Sequence, residues 1–262
     1  MRLDVVHVTT YTYASPLRSS TQYLRLTPQT SARQSVFSWQ IDTPGAPTCG
    51  TDGYGNILHV LTLEKPVSEI RIQVTGSVET RAWCDEEADP VPLSPLVFTR
   101  ASALTRADAA LAGFAERFRR GAGSAEGLGE LAAAILERMP FRPGDTGVSS
   151  SAAEVFATGS GVCQDHTHVF IACCRYLGIP ARYVSGYLYS QGEQVASHAW
   201  AEAWTVDRWR SFDVLNGRPA GEEHIKLAIG ADYLEACPIR GTRVGGGREN
   251  MHAMASVAQS QQ

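Results

Sequence analysis

The stretch Gly159-Ser160-Gly161-Val162-Cys163-Gln164-Asp165-His166-Thr167-His168 runs on as Val169-Phe170-Ile171-Ala172-Cys173-Cys174-Arg175-Tyr176-Leu177-Gly178-Ile179-Pro180, and it decides how the chain is read. Glycines on either side of Ser160 relieve the backbone, and an apolar pattern at helical spacing follows. Val169, Phe170, Cys173 and Leu177 face inward in a helix that Gly178 and Pro180 stop. Cys163 then falls in the first turn, where unpaired amide N–H groups and the helix dipole favour a thiolate. It is a candidate nucleophile. Cys173 and Cys174, on later turns, read as packing residues, because a free cysteine behaves as a small hydrophobe.

Beyond Pro180 the period changes from helical to two. Residues Ala181 to Tyr189 form one strand, turned by Gln191-Gly192-Glu193-Gln194. Ser197-His198-Ala199-Trp200-Ala201-Glu202-Ala203-Trp204 follows, with His198, Trp200, Glu202 and Trp204 on one face. Val206-Asp207-Arg208 turns the chain into a partner strand, Trp209 to Val214, with Trp209, Ser211 and Asp213 on one side.

Nucleophilic cysteine chemistry needs a thiolate, an imidazole to carry the proton and a polar group to fix the imidazole tautomer. His198 and Asp213 supply the last two from adjacent strands. With a three-residue loop in a regular hairpin, Asn216 faces His198 and Asp213 lies about 10 Å along the strand. A bulge or a different loop is then needed to bring Asp213 level, and Asn216 is the reserve orienter. A second reading takes Cys163, His166 and His168 as metal ligands, but no second Cys-His cluster at finger-like spacing accompanies them. Asp165 and His166 tune the thiolate or touch substrate, or are simply polar first-turn residues. A non-catalytic peptide-binding module is a further alternative. Tyr183, Tyr187, Tyr189, Trp200 and Trp204 read either as core or as the lining of a groove.

The blocks Gly161-Val162-Cys163-Gln164-Asp165, Leu177-Gly178-Ile179-Pro180-Ala181-Arg182-Tyr183-Val184-Ser185-Gly186-Tyr187, Ser197-His198-Ala199-Trp200 and Phe212-Asp213 resemble the bacterial transglutaminase-like superfamily of papain-like cysteine enzymes. His7, Tyr11, Tyr13, Leu24-Arg25-Leu26, Pro28 and Asp52 with Gly55-Asn56 resemble the β-rich region that precedes its catalytic domain. The resemblance implies Cys163 as nucleophile, His198 as general base and acid, and Asp213 as its orienter. It also implies amide attack through a thioester, ending in hydrolysis with water or transamidation with an amine; hydrolysis is favoured. Gln164, Asp165, Tyr187 and Trp200 are candidate substrate contacts. Two positions depart from the family pattern: it commonly has an apolar residue at His166, and Pro-Thr at Val214-Leu215.

The fold class expected is α+β: an antiparallel β-sandwich-like module over 1–81, a linker over 82–100 and a transglutaminase-like domain over 101–262. Strand-like runs at Val5 to Tyr13, Gln22 to Leu26, Val36 to Ile41, Ile57 to Leu63 and Ile70 to Val78 are separated by turn signals at Pro16, Pro28, Pro44-Gly45, Asp52-Gly53-Tyr54-Gly55-Asn56 and Pro66. His7 and His59, within these runs, read as structural or exposed. Asp85-Glu86-Glu87 and the prolines to Pro95 form a strap, with Trp83 pinning it. Helices are expected over Ala101 to Arg119, around Leu128 to Met139 and over Ser151 to Thr158. Cys237 to Met251 reads as a returning segment, Met254 to Val257 as an edge strand, and His224 and His252 as structural or solvent-facing.

The 262 residues carry 23 Lys+Arg against 27 Asp+Glu, a net charge of −4, with no basic tract suited to nucleic acid or an acidic membrane. Six cysteines at irregular spacing do not spell a disulfide framework. Asp4 and His7 interrupt any signal-peptide core, and no apolar run is long enough to span a membrane, so a cytoplasmic protein is expected. The partner expected is a protein or peptide substrate. No cofactor or metal is expected.

Overall fold

The structure, a computed structural model, describes residues 1–82, 93–190 and 197–260. Most of the strap around Trp83 and the turn at Gln191 to Gln194 lie outside them. The fold is α+β, with two antiparallel sheets and the helices between them in sequence. In chain order the first sheet is opened by β1 (Arg2–Leu24), β2 (Gln34–Asp42), β3 (Thr48–Thr51), β4 (Ile57–Leu63) and β5 (Val67–Thr80).

The runs expected as separate strands before and after Pro16 are one strand of 23 residues. Its register breaks between Thr12 and Leu17, around the proline that has no N–H to offer a ladder. Past this break β1 changes partners: residues 2–12 pair with β5 and 3–13 with a distant strand, whereas residues 20–24 lie between β4 and another. Those distant strands are β10 (Ile239–Gly245) and β11 (Glu249–Gln259). The end of the chain thus completes the N-terminal sheet, so strand pairing does not follow the sequence boundary drawn at residue 101. The alternating inward residues Leu3, Val5, Leu17, Leu24, Ile70, Ile72, Val74, Ala255 and Val257 share its core.

The helix expected over Ala101 to Arg119 is shorter. Asp108 caps it by accepting from the Leu111 N–H at 2.8 Å, so α1 spans only Ala109–Glu116. Helix α2 (Ala125–Arg138) starts on a Ser124 cap, and α3 (Ala152–Thr158) starts on a reciprocal Ser151/Glu154 capping box. Helix α4 (Cys163–Tyr176) is buried nearly all round after its first turn, as its encircling apolar residues require. Its C-terminal end is fastened by Arg175, whose buried guanidinium donates to the carbonyls of Phe98, Ala181 and Ala231 and to Thr105 Oγ1.

The second sheet has the order β8-β7-β6-β9, from β6 (Ala181–Leu188), β7 (Ser197–Thr205), β8 (Arg208–Phe212) and β9 (His224–Gly230). Helix α4 packs against β6 and β7 through a core that includes Val169, Phe170, Cys173, Cys174, Ala199, Ala201 and Phe212. A short α5 (Tyr233–Ala236) leads back toward the first sheet. The two sheets meet at Tyr187, Ile225 and Leu227, which belong to the first sheet's core.

Candidate active site

Cys163 opens α4 behind an N-cap, Val162, that offers no side-chain oxygen. The first in-helix bonds come from the Asp165 and His166 N–H groups to the Val162 carbonyl, so the Cys163 and Gln164 amides point out of the helix end. Asp165 holds this end in shape. It is buried, and its Oδ2 accepts from the Val162 N–H at 2.8 Å and from Thr146 Oγ1 at 2.6 Å. A Cβ on Gly161 would lie 2.7 Å from the Asp165 side chain, so the glycine is required by close approach. Cys163 is a free thiol, half-buried against the helical core.

His198 sits near the start of β7, buried, with Nε2 donating to Asp213 Oδ2 at 2.9 Å. Its remaining nitrogen, Nδ1, is left for Cys163, which lies close enough for its charge to act on the ring. Burial works to lower the His198 pKa, but the bond to Asp213 and the charges of Asp213 and Cys163 outweigh it and raise it from 6.5 to about 9. Asp213, fully buried, is pushed up by burial yet held well below the ordinary carboxylate range by its bonds to His198 and to His224.

Of the two ways expected to bring Asp213 toward His198, a bulge or a different loop, the structure takes the loop: the hairpin turns in two residues rather than three. Thr205 pairs with Arg208 and Ala201 with Phe212. Continued by one step, that register sets Asp213 opposite Trp200, on the His198 face and diagonal to it. Diagonal neighbours in an antiparallel pair are within reach of such side chains. Pairing ends there, and Asp213 is locked by its own N–H to the Arg218 carbonyl at 2.8 Å. Asn216 does not face His198 as the orienter: its Nδ2 donates to Asp213 Oδ2 at 2.7 Å, and its backbone N–H approaches Oδ1 at 3.3 Å.

The four candidate substrate contacts divide. Gln164 is the half-exposed one, its Nε2 3.4 Å from the Val148 carbonyl. Asp165 is taken up by the helix end. Tyr187 is fully buried where the two sheets meet, its hydroxyl 2.7 Å from His7 Nδ1, and it lines no groove. Trp200 is buried with Phe98, Val184, Trp209 and Ile229, and its ring lies roughly parallel to His198 at 6.2 Å between centroids. It backs the imidazole rather than opening to solvent. Tyr183 is likewise buried, packed on His168.

The first-turn histidines do not assemble a metal site with Cys163. His166 is buried with Nδ1 2.8 Å from the Val162 carbonyl and Nε2 2.6 Å from that of Met139. His168 Nε2 accepts from the Tyr233 N–H at 3.1 Å. Among the described residues the only His, Cys and carboxylate group gathered closely enough for an ion is His198, Asp213 and His224. There the nitrogen to oxygen distances of 2.9 Å are those of direct hydrogen bonds. Sequence reasoning missed His224. It starts a strand on the far side of β6 from His198, and no local pattern announces that pairing.

A free thiol at an uncapped helix end, an imidazole beside it and a buried carboxylate behind are thus carried by an α+β fold. The chain belongs to the transglutaminase-like superfamily: residues 112–214 match its core, and residues 3–79 match the bacterial transglutaminase-like N-terminal region. An uncharacterized protein of Mycobacterium leprae is 28% identical over 98% of both chains, and one of Mycobacterium tuberculosis is 30% identical over 92% of this chain and 87% of its own. A protein-glutamine gamma-glutamyltransferase of Pseudomonas aeruginosa is 31% identical over 44% of this chain and 20% of its own length. A crystal structure from Cytophaga hutchinsonii, designated a "Putative Cysteine Protease", shares the fold with a TM-score of 0.76 at 20% identity, covering 100% of this chain and 92% of that one.

Proposed function

We propose that the protein is a cysteine-dependent amidohydrolase acting on amide or peptide bonds of a protein or peptide substrate. The observation that carries the reading is the His198–Asp213 hydrogen bond at 2.9 Å, set beside Cys163 at an uncapped helix end. The raised His198 pKa keeps the imidazole protonated at neutral pH, as a thiolate–imidazolium pair requires. The Cys163 sulfur attacks the carbonyl carbon, a C–S bond forms and the carbonyl electron pair moves to oxygen, toward the Cys163 N–H. Collapse of that intermediate breaks the C–N bond as His198 gives its proton to the leaving amine. Water, surrendering a proton to His198, then attacks the thioester, the C–S bond breaks and a carboxylic acid leaves.

The test is a mixed peptide library incubated with the wild type and with Cys163→Ala and His198→Ala, analysed by mass spectrometry for new termini and for glutamine converted to glutamate. Either product is expected with the wild type, and a loss of about 1000-fold or more in both variants. Product formation by Cys163→Ala at the wild-type rate would sink the proposal. Acyl transfer to an amine is the second reading, favoured by the stretch similar to a protein-glutamine gamma-glutamyltransferase. It is distinguished by adding a labelled primary amine: incorporation in place of hydrolysis favours the transferase. Peptide binding that survives in both variants with no turnover in the wild type favours a non-catalytic module.

A further inference from the structure

We infer that His224 is a positioning residue for the reaction, a neutral hydrogen-bond donor that holds the Asp213 carboxylate and moderates its pull on the His198 proton. The inference rests on the Cys163–His198–Asp213 reading above. His224 is buried at the start of β9, and both ring nitrogens are engaged. The Gly221 N–H donates to Nδ1 at 3.0 Å, so in the neutral ring the single proton must sit on Nε2, from which it reaches Asp213 Oδ2 at 2.9 Å. A backbone amide thus selects the tautomer.

The same carboxylate oxygen receives three donors: His198 Nε2, His224 Nε2 and Asn216 Nδ2. A carboxylate that is so fully solvated by the protein keeps its charge and one orientation, and its affinity for any one proton is reduced. His198 and His224 lie 5.8 Å apart by centroid, and Trp200 packs edge-on against His224 at 5.2 Å, so His224 also fills the space beside the His198 ring. The charged groups facing His224 are His198 from β7, Asp213 from just after β8 and Arg218 and Glu223 from the preceding loop, with Arg33, Glu202 and Lys226 around the small cavity alongside. Burial lowers the His224 pKa while the Asp213 bond opposes it, and the net direction is down, toward the neutral ring the geometry demands.

The test needs no identified substrate. Alkylation of Cys163 by iodoacetate, mapped by mass spectrometry, is followed against pH. An anionic reagent senses the imidazolium, so the wild-type rate is expected to rise and then fall, the alkaline limb reporting His198. In His224→Phe, which keeps an aromatic ring and loses the donor, the alkaline limb is expected to move up by about half a pH unit, roughly a threefold change in the proton equilibrium. His224→Gln, whose amide can donate near the Nε2 position, is expected to return the limb most of the way. A folded His224→Phe whose limb coincides with the wild type overturns the inference. Should that variant not fold, nitrogen NMR of histidine-labelled wild type decides: His224 protonated on Nε2 alone at pH 7 supports the inference, and a proton on Nδ1 overturns it. Failure of the underlying reading looks different. A wild-type profile with no alkaline limb, or a limb that persists in His198→Gln, removes the His198 assignment itself.

Discussion

At the scale of single residues, the arrangement depends on close backbone approaches as much as on the groups that do chemistry. Gly186 shows this. It lies opposite His198 on β7 and Lys226 on β9, and a Cβ there would stand 2.1 Å from the Ile225 carbonyl oxygen and 2.5 Å from Trp200. Trp200 in turn backs the His198 ring. Gly186→Ala is therefore expected to cost about 1–3 kcal/mol as an overpacked core position and to slow Cys163 alkylation, because Trp200 must shift. Urea unfolding and alkylation measured on one preparation check it, and an unchanged midpoint would show that the strands separate freely. Cys163 and His198 were legible from their local settings, a helix start and a clean alternation. His224 and the Asn216 contact to Asp213 were not. They depend on which strand lies beside β6 and on how the chain after Phe212 folds back, and neither is encoded in a local period.

At the scale of elements, the β7–β8 turn sets the geometry of the carboxylate. Its first residue, Val206, is exposed and has φ +58°, a left-handed conformation that a β-branched side chain adopts only at a cost. The alternative, a three-residue turn that avoids the strain, would move Asp213 one position further from His198. Val206-Asp207 carries none of the usual two-residue turn chemistry, so no local signal marks the tighter turn. Val206→Gly is expected to raise stability by about 1 kcal/mol while leaving Cys163 alkylation alone, since the turn is relieved in place. A thermal melt beside an alkylation rate checks both halves, and a lowered melting temperature would count against strain at Val206. Helices α2, α3 and α4 were readable from caps, spacing and Gly or Pro stops. The expected first helix ran too long because apolar residues at helical spacing continue through Leu104, outside the segment that Asp108 caps.

At the scale of the whole molecule, the buried histidines are expected to give the fold a stability optimum near neutral pH. His7, on β1, joins the first sheet to Tyr187 on the second, and burial lowers its pKa from 6.5 to about 4. His168, under α5, is lowered to about 3 by burial and by Arg175. Both are neutral in the fold, so their contribution is present above pH 6.5 and is lost as pH falls toward those values. His198 has the opposite sign: raised to about 9, it contributes fully below pH 6.5 and loses that contribution as pH rises through 9. Unfolding free energy is expected to fall on both sides, with His7 alone contributing a loss on the order of 2 kcal/mol between pH 6.5 and 4. In His7→Gln the acid side should flatten. Urea midpoints against pH test this, and an acid limb as steep as the wild type's would show that the inter-sheet contact does not report the protonation of His7.

The pairing of Leu3 with Gln259, at one end of the ladder between β1 and β11, carries a kinetic consequence. During synthesis β1 leaves the ribosome long before β11, so one of its two flanks has no partner until the rest of the described chain has been made. The half that carries Cys163, whose helices and β6–β9 are contiguous in sequence, can collapse while that flank is still open. An unpaired strand of this length is a template for pairing with other chains. Nascent-chain crowding, and any delay in translating residues 239–259, therefore bears on yield more than on the stability of the finished protein.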